Sequence, residues 1–332
     1  MNTLHGLAIL ILGVVFYCGC TERADVKPAS DRTIHVKLAL NWYPEVEHGG
    51  FIAAENSGFF DKAKLKVDLI SGGPGAPQLV IDELVAERIL FAVSDADNVV
   101  KARAAGLPIV ALLAPLQNSP RCIMVHRSSG FKTLEDLADI ELAISEARPF
   151  ALWMKKKLPL KNVQLVPFSG SVGEFLQKEA FAQQAFVFSE PFTAEEQGGD
   201  PQSLMVSELG FNPYASVLVT TEKTIREQRD LVQSVVTASV AGWEMYLADP
   251  GVTNAAIHVM NESMSPAALE FGASAMAPLC KVADNGPLCT MTLERWQTLV
   301  HQIEEVDDIK PNSVKPEECF TTEFLTSAKT AE

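Results

Sequence analysis

The sequence has no apolar run long enough to cross a bilayer as a helix. The leading one, Leu7 to Phe16, falls well short of the roughly 20 residues that about 30 Å of hydrocarbon requires. It has the length of the hydrophobic region of a secretory signal instead. Positive charge is also scarce: 27 Lys and Arg stand against 42 Asp and Glu, a formal net charge of −15. This argues against nucleic acid or an anionic lipid surface as a partner and favours a neutral or cationic ligand. There is no C-x-x-C and no H-E-x-x-H, and the 6 His are scattered, so no metal site is expected. There is no G-x-S-x-G, and Cys122 sits in an apolar stretch with no neighbouring base, so no catalytic nucleophile is expected. The glycine-rich Ser71-Gly72-Gly73-Pro74-Gly75 has neither the G-x-G-x-x-G spacing nor a Walker lysine, and no cofactor is expected.

What is present is a chain of 332 residues, 47% hydrophobic and 21% charged, enough for two lobes with cores of their own. Residues 1–19 read as a signal peptide. They end in Tyr17-Cys18-Gly19-Cys20, which resembles a bacterial lipobox and marks Cys20 for lipidation. Residues 20–32 are polar, contain Pro28-Ala29-Ser30 and carry no apolar periodicity, as expected of a flexible tether between a membrane anchor and a folded domain. In an exported protein, Cys280 and Cys289, flanking a polar, turn-rich loop, are candidates for a disulfide.

From Ile34 strand and helix patterns alternate: strands at Ile34–Leu40, Leu65–Ile70, Ile89–Val93 and Ile109–Ala114, with helical stretches between them. A second series starts at Arg121–His126 and runs through Glu141–Ser145, Val163–Pro167 and Ala185–Phe188. After Tyr214–Thr220 the chain is mostly helical. These patterns predict an α/β protein of two parallel-sheet lobes, one from residues 33–118 plus 216–330 with the C-terminal helices, the other from 119–215. Crossovers near Pro115–Pro120 and Gly210–Tyr214 would form a hinge. The default ligand site is then the cleft between lobes, lined by loops that follow strands.

Leu40-Asn41-Trp42-Tyr43-Pro44, His48, Gly58-Phe59-Phe60, Phe91-Ala92-Val93-Ser94 and Ala102-Arg103-Ala104-Ala105-Gly106-Leu107-Pro108-Ile109 resemble the alkanesulfonate and thiamine-pyrimidine-precursor family. That resemblance implies a bilobed periplasmic-binding fold of the second type and a monomeric, extracytoplasmic solute-binding protein working with an ABC permease. It also implies a thiamine pyrimidine precursor, or a similar small aromatic nitrogen compound, as ligand. One branch of the superfamily is a thiamine-pyrimidine synthase, whose cofactor-binding lysine and sacrificial histidine fall here on Ser94 and Asn98. A Schiff base needs an amine, so binding is favoured over synthesis; a ligand sensor without a transporter is a third possibility.

Trp42 and Tyr43 are candidates for stacking on a planar heterocycle, and Asn41 offers an amide to a ring edge. His48 either contacts the ligand or satisfies its own turn. Gly73 would let backbone approach a ligand. Ser94 is expected to cap a helix whose first turn carries Asp95 and Asp97, acceptors for ligand amino groups that would repel a sulfonate. From the second lobe Arg148, Phe168 and Glu190 are expected to close the site, with Arg148 able to rescue an anionic ligand.

Overall fold

The computed structural model describes residues 33–282 and 286–326. Cys20, the signal segment and the tether lie outside them. Within them are ten strands: β1 (Ile34–Ala39), β2 (Leu65–Ile70), β3 (Phe91–Ser94), β4 (Ile109–Leu113), β5 (Arg121–His126), β6 (Glu141–Ala143), β7 (Gln164–Val166), β8 (Phe181–Phe186), β9 (Pro201–Met205) and β10 (Val217–Thr221). They form two five-stranded sheets, in the orders β2-β1-β3-β10-β4 and β7-β6-β8-β5-β9. Two α/β lobes are therefore present, but their sheets are mixed, not parallel. β10 runs antiparallel to both β3 and β4, and β5 runs antiparallel to both β8 and β9. The reason is topological. β5 and β10 are the strands through which the chain enters one lobe and returns to the other, and no βαβ crossover fixes their direction.

The two crossovers meet. Leu116 and Ala215 form an antiparallel bridge, the Ser119 N–H donates to Asn212 Oδ1 at 2.7 Å, and Asn212 Nδ2 donates to Asn118 Oδ1 at 3.0 Å. One apolar cluster continues through this hinge. It joins Val99 and Ala111 of the first lobe to Ile123, Leu142, Phe150 and Trp153 of the second by way of Phe211, Tyr214 and Trp296. Trp296 belongs to the amphipathic helix Leu293–Glu305, which so serves both lobes.

The opposite face of the first sheet is covered by the helices Gly49–Asn56 and Arg229–Ala248. They cross closely because both carry glycine at the contact. A Cβ on Gly242 would lie 2.1 Å from the Gly50 carbonyl oxygen, and one on Gly50 would lie 2.1 Å from the Trp243 ring. The approach lets Phe51 and Trp243 meet edge to face at 5.7 Å, both fully buried. The helix Gly49–Asn56 starts directly below the loop that follows β1, so this packing sets the floor under Asn41–His48.

Cys280 and Cys289 are buried free thiols in the structure, with burial pushing the Cys280 thiol up to about 12. No helix among the described residues is long and apolar enough to cross a membrane.

Gly242→Ala should push the two helices apart and cost about 1–3 kcal/mol, the usual range for overpacking. Gly75→Ala, where an added Cβ meets nothing within 4 Å, should leave stability nearly unchanged. Chemical denaturation of both variants checks the pair. Equal stabilities would mean that the crossing does not depend on glycine.

Candidate functional site

The interlobe cleft holds a cavity of about 410 Å³, within the range of small-molecule sites. The first lobe contributes Asn41, Trp42, Tyr43, Glu45 and Glu47 from the loop after β1, Pro74 from the loop after β2, Pro77 from the first turn of the helix Ala76–Val85, and Asp95 from the end of β3. The second contributes Arg121, Ser145, Arg148, Phe168 to Gly170, Gln184 to Phe186, Ser189 and Glu190. Most of these residues follow strands, where sheet hydrogen bonding stops and side chains are free to face the cleft.

Asp95 connects the elements. It is the N-cap of the helix Ala96–Ala104. One carboxylate oxygen accepts from the Ser216 N–H at 3.2 Å, and the other faces Arg148 Nη2 at 3.5 Å from the opposite lobe. Arg148 also lies 3.7 Å from Asp97 Oδ2. Ser216, in the returning crossover, has φ +52° in the left-handed region that a non-glycine residue seldom adopts. Its N–H bond to Asp95, and the 3.0 Å bond its hydroxyl donates to Glu47 Oε2, hold it there.

The acids are crowded, with Glu47 and Asp95 buried and Glu45 and Glu190 half-buried. Burial, then the neighbouring Asp95 charge, pushes Glu47 up to about 8. Burial also raises Glu45 well above the usual carboxylate range and raises Asp95 and Glu190, with Asp97 adding repulsion at Asp95. Glu190, the first residue of the helix Glu190–Glu196, accepts from the Phe186 N–H at 2.8 Å.

Two amides of the cavity wall are oriented by hydrogen bonds to other groups of the protein. Burial pushes His48 down to about 3, so its ring is neutral. Nδ1 accepts from the Glu45 N–H at 3.3 Å, which leaves the proton on Nε2 to donate to Asn41 Oδ1 at 2.9 Å. The Asn41 acceptor is thereby engaged, and its NH2 is the group left for a ligand. Gln184 behaves alike: its Oε1 accepts from the Ser145 N–H at 2.7 Å, leaving Nε2 as donor. At the rim Trp42 and Tyr43 stand edge to face at 5.6 Å, Tyr43 being 46% exposed.

Of the residues expected from sequence, Asn41, Trp42, Tyr43, Asp95, Arg148, Phe168 and Glu190 come together on this cavity. Four others stand elsewhere. His48 is fully buried behind Asn41. Ser94 is the last residue of β3, not the helix cap, and its buried hydroxyl has no partner. Asp97 lines a small adjoining cavity with Arg121, Phe150 and Tyr214. Gly73 packs beside the Tyr43 ring, and it is Gly72 that needs to lack a side chain, since a Cβ there would lie 2.4 Å from the Leu40 carbonyl oxygen. Glu45, Glu47, Arg121 and Gln184, with Ser145, Ser169 and Ser189, are polar lining residues outside the set expected from sequence. The two glutamates lie inside the loop expected to line the cleft, so position in that loop was the available signal. Arg121 and Gln184 had none.

Comparison with known proteins gives residues 45–252 as a match to the family described as NMT1/THI5 like. The formylaminopyrimidine-binding protein of Halalkalibacterium halodurans is 20% identical over 324 residues, covering 94% of this chain and 97% of that protein. A Haemophilus influenzae protein named for thiamine biosynthesis is 32% identical over 102 residues, about a third of each chain. Among solved structures, the periplasmic aliphatic sulphonate binding protein SsuA from Escherichia coli superposes with a TM-score of 0.67 at 15% identity, covering 86% of this chain and 91% of that one. The fold is thus the two-lobed one of the periplasmic binding proteins.

Glu47 carries a pH signature. Its carboxyl titrates near 8 when folded and near 4.5 when unfolded, so its contribution is fully present below pH 4.5 and is lost as pH rises through 8. Glu47→Gln keeps an acceptor for Ser216 and removes that loss. It should raise stability at pH 8 by on the order of a few kcal/mol and leave it nearly unchanged at pH 4.5. Melting curves at the two pH values test this; an equal shift at both would contradict a protonated Glu47.

Proposed function

Since the chain belongs to the NMT1/THI5-like family, we propose that it is an extracytoplasmic solute-binding protein of an ABC importer. Its ligand is a thiamine pyrimidine precursor or a similar small aromatic nitrogen compound, held in the interlobe cleft. The observation that carries this reading is the composition of the cavity wall. Trp42 and Tyr43 supply aromatic faces at the rim, Asn41 and Gln184 present amide donors, and Glu45, Glu47, Asp95 and Glu190 present acceptors around one 410 Å³ space. A planar heterocycle with exocyclic amino groups has the matching pattern: faces that stack, N–H groups for the acids, ring nitrogens for the amides.

The near full-length similarity to a formylaminopyrimidine-binding protein supports the same ligand class. A sulfonate is disfavoured, because Arg148 is already committed to Asp95 and Asp97, and an anion set against Arg121 would stand among Glu45, Glu47, Asp95 and Glu190. The synthase reading is disfavoured by Ser94 and Asn98, neither of which offers an amine for a Schiff base. Attachment to the membrane through a lipidated Cys20 and delivery to a permease complete the proposal.

Trp42→Ala should weaken binding of an aminopyrimidine by about 1–3 kcal/mol, roughly five- to 150-fold in Kd. Titration calorimetry with an aminopyrimidine and with an alkanesulfonate is the test. Tight sulfonate binding together with no heat from the aminopyrimidine would overturn the assignment of ligand and leave the fold unaffected. For the anchor, full-length protein should partition into detergent and Cys20→Ala should not; if both remain in the aqueous phase, lipidation is excluded.

A further inference from the structure

Cys122, Cys280, Cys289 and Cys319 are buried free thiols in the structure, and they fall in three apolar clusters. Cys122 belongs to one in the second lobe and Cys319 to the one that continues through the hinge. Cys280 and Cys289 share the third, with Phe51 and Trp243. The backbone brings this pair together. The Gln117 N–H, in the outgoing crossover, donates to the Leu279 carbonyl at 2.8 Å, while Gln117 Nε2 donates to the Thr290 carbonyl at 2.9 Å. One glutamine therefore holds both the residue before Cys280 and the residue after Cys289. The Asn118 N–H also donates to Leu279, and the Ala114 N–H donates to the Cys289 carbonyl, each at 2.9 Å. At this point Cys289 has φ +65°, in the left-handed region that a non-glycine residue seldom adopts. The Thr292 N–H then reaches the hydroxyl of Tyr214, in the returning crossover, at 3.1 Å. Burial raises both thiols, and the Cys280 charge adds to the rise at Cys289.

We propose that Cys280 and Cys289 are a disulfide site, joined while the exported chain folds, and that the bond fastens these two chain ends across the hinge. The oxidant is a disulfide-bearing thiol oxidant of an extracytoplasmic compartment. One cysteine thiolate attacks the oxidant's disulfide, forming a mixed disulfide and releasing one oxidant thiolate. The second cysteine thiolate attacks the first cysteine's sulfur, forms the Cys280–Cys289 bond and releases the other. Two protein thiols are oxidised, one disulfide is reduced, and the two protons pass to the released thiolates. A buried thiol is unreactive, so exchange precedes the packing of the cluster, and the same burial afterwards shields the bond from reductants. From the function proposed above, this takes only the location outside the cytoplasm; glutathione supplies the oxidant independently of it in vitro.

Full-length chain is unfolded with denaturant and reductant, refolded with either oxidised or reduced glutathione, alkylated with iodoacetamide and digested with trypsin. Cleavage after Lys281 separates the two cysteines into peptides 230–281 and 282–295, each with no other cysteine. The two peptides should be found joined after oxidised glutathione only, in excess over any pairing with another cysteine of the chain. The oxidised form should melt roughly 5 °C higher than the reduced form. Hydrogen exchange at the Ala114, Gln117 and Asn118 amides should slow by roughly tenfold or more, and by more than at the amides of β6. Alkylation of both cysteines after oxidised glutathione, or pairing without preference for each other, would overturn the site. Joined peptides with unchanged exchange at those three amides would overturn the fastening of the hinge. The comparison lies between two redox states of one chain, so it does not depend on a variant that folds.

Discussion

The structure turns on one constraint, the placing of Asp95 where its carboxylate is removed from water yet must serve two separate parts of the chain at once. From the N-cap position of the helix Ala96–Ala104 it accepts from the strained Ser216 of the returning crossover and faces Arg148 of the other lobe. A buried carboxylate without such partners is costly, and each partner here belongs to a different part of the chain. The relative position of the lobes is therefore coupled to the protonation and pairing of one side chain. Glu47 extends the coupling. By accepting from the Ser216 hydroxyl it ties the loop after β1 to the same crossover, so that the stacking rim, the helix cap and the hinge share a common support.

That support has a consequence for selectivity. Water-excluded carboxyls crowd one another, and the site relieves the crowding by holding protons, as the raised titration of Glu47 shows. A ligand that brings N–H donors or positive charge provides the compensation that the protein alone supplies only in part. One that brings negative charge finds Arg148 committed to Asp95 and Asp97 and must share the cavity around Arg121 with Glu45, Glu47, Asp95 and Glu190. Net charge of the whole chain points the same way, but it acts at long range and is screened by salt, whereas the desolvated acids act at contact distance. The local arrangement decides what is retained; the global charge at most biases what approaches.

Much of the α/β alternation was legible because apolar runs and their punctuation follow local rules. The strands Leu65–Ile70 and Arg121–His126 coincide with expectation to the residue. The strand expected at Ala185–Phe188 lies instead at Phe181–Phe186, because Gln183 and Gln184 interrupt the apolar pattern although both are buried. Pro201–Met205 is not recognisable as a strand, with proline, glutamine and serine at three of its five positions; it pairs because β5 lies beside it. Strand direction in β5 and β10 was not legible at all, since it depends on where the chain travels between lobes. The same limit governs the site. Loops after strands are readable, and they gave Asn41, Trp42, Asp95 and Glu190. Arg121 begins a strand and Gln184 lies within one, so no loop rule reaches them.

Hydrogen bonds made within the protein decide what the lining residues offer a ligand. Asn41 viewed alone is ambivalent, with a donor and an acceptor to present. The Glu45 N–H fixes the tautomer of His48, His48 then occupies the Asn41 oxygen, and the ambivalent amide becomes a donor. In the second lobe the Ser145 N–H does the same to Gln184. Because His48 is dry and neutral, this arrangement persists far into the acid range, through pH values at which an exposed imidazole would have gained a proton and lost its acceptor. The acids of the same cavity have no such fixed identity, since a carboxyl that holds a proton donates and one that has released it only accepts. The cleft therefore combines invariant amide donors with adjustable acids. A heterocycle whose ring nitrogens accept and whose amino groups donate engages both without requiring either to reorganise.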